Sequence, residues 1–533
     1  MVMNKLDLQT FLFEGDVSRM ELMSYASTIE PIYRVAVYRN HSFELIENTI
    51  TPYLEYAGLG VEFLYSDYDD SLSFLELDLT VDLVILWLDL SVYKLSNLNQ
   101  FIESRIDYLK TCFNGNIVFA ACGVDIENLK VAQYKLSKFK DLIGDKFFDL
   151  RLEPFSGTKL SHVANLEISR DLGLNYLPAL LKPNLKCIVV DLDNTLYNGV
   201  LGEDGIDGVV LSEGHRQLQI KLKTLSEHGF FLCIASKNDD RDVVNLFKQR
   251  ADFPLKIEDF VQIYANWESK SDSINWIAKA LNISVDSFLF IDDNLGELMS
   301  VLENHPSIHI IWAKDNASIT LDVVSNYPGL LKLDYKKEDG LRKKDALANQ
   351  QRLAIKSSLN RDEYIRDLAM ELVYDIDKLS NVDRITELAN KTNQFIFSYQ
   401  RYSSQEISSL VTNADSTVVT ISLSDRLSDS GIIGVVVLTK QEDTGMLEEC
   451  FVSCRALGRG IDQAIVLGSI KFALEALDVD KLKVAFVEGE RNLPAQKFCE
   501  EHFAEFVSTS GDFKYKIPSD LITVTVNQKQ SNE

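Results

Sequence analysis

Four apolar runs in the middle of the chain constrain its fold more tightly than any other feature. CIVVDLD, FFLCIASKN, SFLFIDDN and IHIIWA start at Cys187, Phe230, Ser287 and Ile308, and polar residues follow at their ends. The segments between them, HRQLQIKLKTLSEHG, DDRDVVNLFKQR, SKSDSINWIAKALNIS and NLGELMSVLENHP, carry helical spacing. Gly229 falls where a helix C-cap belongs, and Asp239 or Asp240 suits an N-cap. Strands alternating with helices predict a doubly wound parallel sheet, and in such sheets chemistry gathers at the carboxyl ends of the strands. Two aspartates at the tip of the first run, Asp191 and Asp193, need a reason, because buried charge is costly unless paired or metal-bound.

A chain of 533 residues is too long for one core, and roughly two to four domains are expected. Residues 1–180 read as a first α/β domain, with YRVAVYRN, VDLVILWLDL and GNIVFAA as its buried strands. The central α/β unit spans 183–315, and a charged, mostly helical connector spans 316–365. A third, α+β region covers 366–518, with a meander of STVVTISLSD, GIIGVVVLTK and LEECFVSCRA ahead of a long helix. Residues 519–533 are expected to form a disordered tail.

The net charge of −26 lacks the basic stripes that meet phosphates, which argues against nucleic-acid binding and against anionic membranes. VDLVILWLDL is too short to span a bilayer, so no membrane insertion is expected. The N-terminus has no apolar signal region, and seven scattered cysteines without CxxC spacing suggest neither a disulfide framework nor a zinc site. A reducing cytoplasm is the expected address.

The order DLDNT, SKN, NWESK, FIDDN resembles the haloacid dehalogenase-like (HAD) superfamily of phosphoryl-transfer enzymes. Elementary chemistry agrees with what the resemblance implies. A Mg²⁺ ion takes oxygen ligands and neutralises clustered carboxylates, so Asp191 and Asp292 could share one, with Asp293 binding directly or through water. Asp191 would be the nucleophile and Asp193 the general acid and base, with the Asp193 main-chain carbonyl also on the metal. Thr195, Ser236, Lys237 and Lys270 would serve the phosphate. The intervals from Asp191 to Ser236 and from Ser236 to Lys270 are nearly filled by core elements, so the unit is expected to be capless. Water exclusion would then fall to flanking domains or to an extended substrate.

DLDNTLYNGVLGEDGIDGVVL, ASKND, ANWESK, NKTNQFIFSYQRYS, LSDRLSDSGIIGVV and FVSCRALGRGID narrow the likeness to FkbH-like proteins of that superfamily. Tyr197 stands where relatives usually have tryptophan. The resemblance implies a flavodoxin- or SGNH-like first domain. It also implies an enzyme that dephosphorylates a phosphorylated three-carbon or similar precursor and loads the acyl group onto the phosphopantetheine thiol of an acyl carrier protein. Characterised members take 1,3-bisphosphoglycerate. Two alternatives stand beside this: a plain phosphatase of a small metabolite, and an acyl-CoA-dependent N-acyltransferase in surface-glycan biosynthesis.

RALGRG, residues 455–460, resembles the R-x-x-G-x-G loop of GCN5-related acyltransferases, where backbone N–H groups approach a pyrophosphate at a helix start. The resemblance assigns Arg455, Gly458, Arg459, Gly460 and Asn492 to coenzyme A or to carrier-protein phosphopantetheine. Cys454, beside Arg455 and near the helix start, would be the acyl acceptor. Asn393, Gln394, Arg426 and Asp429 are either cleft residues or ordinary turn chemistry. In the first domain Ser42 within RNHS suggests an esterase serine, but no D-x-x-H signature accompanies it, and His41 and His162 have no clear partners. A cap or docking surface is the expectation there.

Overall fold

The computed structural model describes residues 5–528 except 16, 76–77, 79, 127–128, 152, 315, 334–336 and 490–491, with backbone alone at 69, 337–343, 346–347 and 350. It divides into two compact units, residues 1–273 with 285–335, and residues 274–284 with 336–533. The fold is multidomain α/β, with two parallel sheets and one mixed sheet among the described residues.

The first unit holds both parallel sheets. One comprises β1 (Tyr33–Arg39), β2 (Val61–Tyr65), β3 (Leu83–Asp89), β4 (Asn116–Cys122) and β5 (Ala132–Lys135), in the order β2-β1-β3-β4-β5. This is the flavodoxin-like order. The other comprises β6 (Cys187–Val190), β7 (Phe231–Ser236), β8 (Gln262–Ala265), β9 (Phe288–Asp292) and β10 (His309–Trp312), in the order β10-β9-β6-β7-β8. Strands β6, β7 and β9 are buried at every residue, which is why they read as continuous apolar runs. His228 closes the helix Glu213–Glu227, and Gly229 follows it at φ +83°, a conformation that favours a residue without a Cβ. The Asp239 side chain caps the helix Asp240–Gln249 by accepting from Arg241 N–H.

The expected border between the first two domains is crossed by the N-terminal helix Lys5–Phe13. Its Leu8 and Leu12 belong to the same apolar core as Ile188, Val190 and Ile291. Gln9 exchanges two hydrogen bonds with the backbone of Trp312, at 2.9 and 3.2 Å. The helix therefore belongs to the central sheet, although it precedes the first sheet in sequence. The helix Ala317–Ser325 likewise stays in the first unit, where its Asp322 pairs with Arg170 at 2.6 Å.

The second unit is built on β11 (Glu371–Ile376), β12 (Ser416–Ser424), β13 (Asp429–Gln441), β14 (Thr444–Val452), β15 (Lys481–Val484), β16 (Gly511–Asp512) and β17 (Thr523–Asn527). Their order is β16-β15-β14-β13-β12-β11-β17. The meander β11 to β14 is antiparallel, whereas β14 and β15 run parallel, joined through the helix Asp462–Leu477. The tail expected from 519 is a strand over 523–527, paired with β11, because TVTVN supplies four consecutive β-branched residues. Only 529–533 of that segment lie outside the described residues.

A buried charge cluster fastens the helix Lys337–Ser358 to this sheet. Arg352 pairs with Asp425 at 2.7 Å and with Asp345 at 3.0 Å, and Arg459 pairs with the same two carboxylates at 3.2 and 2.8 Å. Two arginines facing two aspartates, with Ser428 and Ser430 donating to Asp345, leave little uncompensated charge. Arg352→Met should therefore lower the unfolding free energy of the full chain by about 3–5 kcal/mol, since a buried partner is left unpaired. Denaturant titration of the second unit's transition checks this, and a loss below about 1 kcal/mol would remove the cluster from the stability account.

Candidate functional site

The carboxyl ends of β6 and β9 bring three aspartates together. Asp191 follows β6 directly, and its N–H donates to the Ile291 carbonyl of β9 at 2.9 Å, fixing it beside Asp292. Asp292 is fully buried and accepts the Asn294 N–H at 2.8 Å. Asp293 is held by its carbonyl, which accepts the Trp312 indole N–H at 2.9 Å. Carboxylate oxygens of all three lie within 4.8 Å of one another.

Lys270, the first residue of the helix Lys270–Leu281, reaches into this group. Its Nζ lies 2.5 Å from Asp292 Oδ2 and 3.0 Å from Asp191 Oδ2. Burial would lower its pKa, but Asp191 and Asp292 outweigh that and raise it, so the ammonium stays charged. One ammonium against three carboxylates leaves an excess of negative charge. Asp191 Oδ1 is buried without a hydrogen-bond partner. A hard divalent cation such as Mg²⁺ fits this donor set, which is all oxygen, crowded and electron-rich.

Asp193 stands apart from the three. Its Oδ1 accepts the Tyr197 hydroxyl at 2.8 Å and the Leu201 N–H at 3.0 Å, and its Oδ2 accepts the Asn238 amide at 2.9 Å. The expectation of Asp193 among the metal residues can hold for its main-chain carbonyl alone, because both carboxylate oxygens are engaged elsewhere. The turn that carries it passes through Asn194 at φ +52°, with the Asn194 side chain accepting the Gly199 N–H. Thr195 is buried, its N–H bonded to the Leu192 carbonyl at 3.2 Å. Ser236 is buried at the tip of β7 and accepts the second Asn238 amide hydrogen at 3.0 Å. The Lys237 ammonium is paired with Glu297. The central site thus gathers Asp191, Thr195, Ser236, Lys237, Lys270, Asp292 and Asp293 at the carboxyl edge of one sheet.

Three residues with parts in this site escaped the sequence reading. Asn238 lies inside the SKN motif, and its polarity straight after a strand was the available signal. Tyr197 was visible as an aromatic departure after DNTL, but nothing in the sequence showed that its hydroxyl meets Asp193. Trp312 lies in the apolar run IHIIWA, and nothing in that run marks its indole N–H as the partner of the Asp293 carbonyl.

The second unit treats the acyltransferase-like loop differently from expectation. Arg459 is buried with Asp345 and Asp425, so its guanidinium is withheld from a cofactor. Asn492 is fully buried; it donates to the Ile396 and Val487 carbonyls at 3.0 Å and accepts from Gly489 N–H, clamping backbone rather than ligand. Gly458 and Gly460 do take positive φ, at +76° and +78°, as the motif needs. The Gly458 N–H, however, donates to Asp462 at 3.3 Å, and the two glycine carbonyls accept from Lys356 and Arg361. Arg455 adds positive charge near Asp345. Cys454 is partly exposed at the start of the loop. Arg426 pairs with Asp367, 59 residues away, at 2.6 Å, and Asn393 accepts from Arg401 at 2.7 Å.

At the carboxyl edge of the first sheet, Ser42 Oγ donates to Glu44 at 2.9 Å and not to an imidazole. His41 bonds Thr158 at 2.8 Å, stacks on Trp87, and is pushed by burial to about 4, which keeps it neutral.

No protein-family model and no curated protein matches this sequence. Among solved structures, the chain is similar to the N-terminal part of a Bacteroides fragilis protein containing a phosphatase domain, complexed with Mg. The identity is 19% and the TM-score 0.46, covering 60% of this chain and 98% of that one. It is also similar to an acetyltransferase of the GNAT family from Streptococcus pneumoniae (14% identity, TM-score 0.19, 25% of this chain and 83% of that one). A third is 3-deoxy-D-manno-octulosonate 8-phosphate phosphatase from Moraxella catarrhalis, in complex with magnesium, phosphate and KDO (17% identity, TM-score 0.19, 28% and 88%). The case for a function rests on this chain's own side chains.

Burial first, and the Asp191 charge second, push Asp292 up to about 7 and Asp293 up to about 6. Between their ordinary value of 3.8 and these raised values the folded chain holds protons that the unfolded chain has released. The metal-free fold therefore loses stability as pH rises through about 4 to 7. A divalent cation needs the ionised carboxylates, so its stabilising effect should grow over the same range. The rise in Tm on adding Mg²⁺ should be small near pH 5 and several degrees near pH 8; equal shifts at both would contradict this charge balance.

Proposed function

We propose that this chain is a Mg²⁺-dependent phosphohydrolase that works through an aspartyl-phosphate on Asp191. The observation that carries the proposal is the position of Lys270, whose single ammonium binds both Asp191 and Asp292 where Asp293 also converges. Asp191, Asp292 and Asp293 would hold the cation, which when bound neutralises charge on the phosphoryl oxygens. Asp191 attacks phosphorus, so its bond to phosphorus forms as the bond to the leaving oxygen breaks. Asp193, oriented by Tyr197, Leu201 and Asn238, passes a proton to that leaving oxygen. It then takes one from the water that cleaves the aspartyl-phosphate. Lys270 and Ser236 steady the phosphoryl oxygens, and Thr195 supports the turn.

The finer reading is that the substrate is a phosphorylated acyl precursor and that the second unit passes the acyl group to a phosphopantetheine thiol of a carrier protein, with Cys454 as intermediate acceptor. The FkbH-like motifs support it. The plain-phosphatase reading is favoured by one observation, the internal engagement of Arg459, Asn492 and Gly458 N–H.

Asp191→Asn should reduce phosphate release from small phosphate esters by at least about a thousandfold, as for other nucleophile removals. Release that survives the substitution would end the proposal. In the same preparation, an intact-mass gain on a co-expressed carrier protein that disappears in Cys454→Ala would establish the acyl step. A gain that persists would remove Cys454 from it.

A further inference from the structure

An ion pair joins two of the loops at the sheet edge that carries the aspartate cluster. Sheet order places β6 between β7 and β9, so the tips of β7 and β9 stand about 10 Å apart at ordinary strand spacing. Lys237 follows the last residue of β7, and Glu297 lies on the first turn of the helix Leu295–Asn304 that follows β9. Their ion pair therefore joins the segments that leave the two strands flanking β6, whose own carboxyl end carries Asp191. Exposure gives its depth. The side chains of Lys237 and Glu297 are 43% and 19% exposed, whereas those of Lys270, Asp191 and Asp292 at the same sheet edge are 5%, 7% and 0% exposed. The pair is the outer layer, and the three buried groups are the inner one.

Lys237 is also the only residue between Ser236 and Asn238, whose side chains bond each other beside Asp193. A cation in that position meets an arriving phosphate before Lys270 can. In the resting chain its partner is a carboxylate on the far side of the opening.

We infer that Glu297 acts as an internal anion that occupies Lys237 until a phosphate displaces it, making Glu297 a positioning residue for substrate entry. This rests on the phosphohydrolase reading above. When phosphate arrives, the Lys237 ammonium exchanges a carboxylate for a phosphoryl oxygen, no covalent bond changes, and the Glu297 side chain turns toward solvent. The bridge then sets the threshold for entry, since a weakly charged ligand cannot compete for Lys237, and it blocks the opening while no phosphate is bound. An ion pair this exposed is screened by salt, so the barrier weakens as ionic strength rises.

Titration calorimetry with inorganic phosphate in Mg²⁺ buffer tests this without turnover. Glu297→Gln should bind phosphate up to about fivefold more tightly than the native chain, the range an exposed ion pair allows. Glu297→Asp, which keeps the carboxylate, should stay nearer native. Lys237→Met should bind more weakly, and in that background Glu297→Gln should lose its effect. Added salt should narrow the gap between the native chain and Glu297→Gln. In steady state, Glu297→Gln should act on KM rather than kcat. The inference is overturned if Glu297→Gln leaves phosphate affinity unchanged, or if its effect persists unaltered in Lys237→Met, which would make it a diffuse field. It is equally overturned if the native chain binds no phosphate. Affinities that follow the stated pattern in a chain that releases no phosphate from any ester would keep the bridge and discard the phosphohydrolase reading. Turnover abolished by Asp191→Asn, with affinities indifferent to Glu297, would do the reverse.

Discussion

The contact between the Lys270 ammonium and the carboxylates of Asp191 and Asp292 is what the central site depends on. Three aspartates at adjacent strand tips repel one another, and burial strengthens the repulsion by removing water. Lys270 removes part of that cost, and it must be buried to do so, which is acceptable only because two carboxylates meet it. The remaining negative charge is not balanced by any described side chain at the cluster. A fold that leaves such an excess at the end of a parallel sheet is arranged to receive positive charge from outside.

The same logic explains the order of elements. Parallel strands need crossover helices, so each strand tip is followed by a loop and a helix start, and every loop delivers its residues to one edge. Asp191 and Asn238 arrive after β6 and β7, and Lys270 after β8, although they are far apart in sequence. Lys237 and Glu297 use that geometry at the outer edge, and Lys270 with Asp292 uses it at depth. The helix Lys5–Phe13, packed with Leu8 and Leu12 into the same core, closes the far side of the sheet near β10. Residues 5–13 therefore help to hold the site's scaffold.

Much of the central site was legible in the sequence, because the residues that form it are consecutive with strands that have a strong apolar signature. DLDNT, SKN and FIDDN declare both the strand and the chemistry at its tip. Asp293 was readable for the same reason, whereas Lys270 was read from NWESK alone, because β8 is a four-residue strand only half of which is buried and it has no continuous apolar run. The support of Asp193 was not legible, because the motifs that contain Tyr197, Leu201 and Asn238 do not show that a hydroxyl, a backbone N–H and an amide from two separate segments converge on one carboxylate. The tail shows the converse failure. TVTVN is a run of four β-branched residues, but its partner, β11, lies more than a hundred residues earlier. Long-range pairing of that kind leaves no local trace.

The acyltransferase-like loop shows why a motif can be right about backbone and wrong about side chains. R-x-x-G-x-G requires two glycines at positive φ, and Gly458 and Gly460 supply them. Nothing in that pattern fixes where the intervening arginine points. Here Asp345, on a helix more than a hundred residues upstream, and Asp425, between two strands, form a buried acidic pair, and Arg459 and Arg352 are the cations that neutralise it. Leaving either carboxylate buried without its arginine would cost more than a surface contact with a ligand returns. The interior therefore claims Arg459 first. The loop's backbone is claimed in the same way, since the Gly458 N–H is taken up by Asp462 at 3.3 Å.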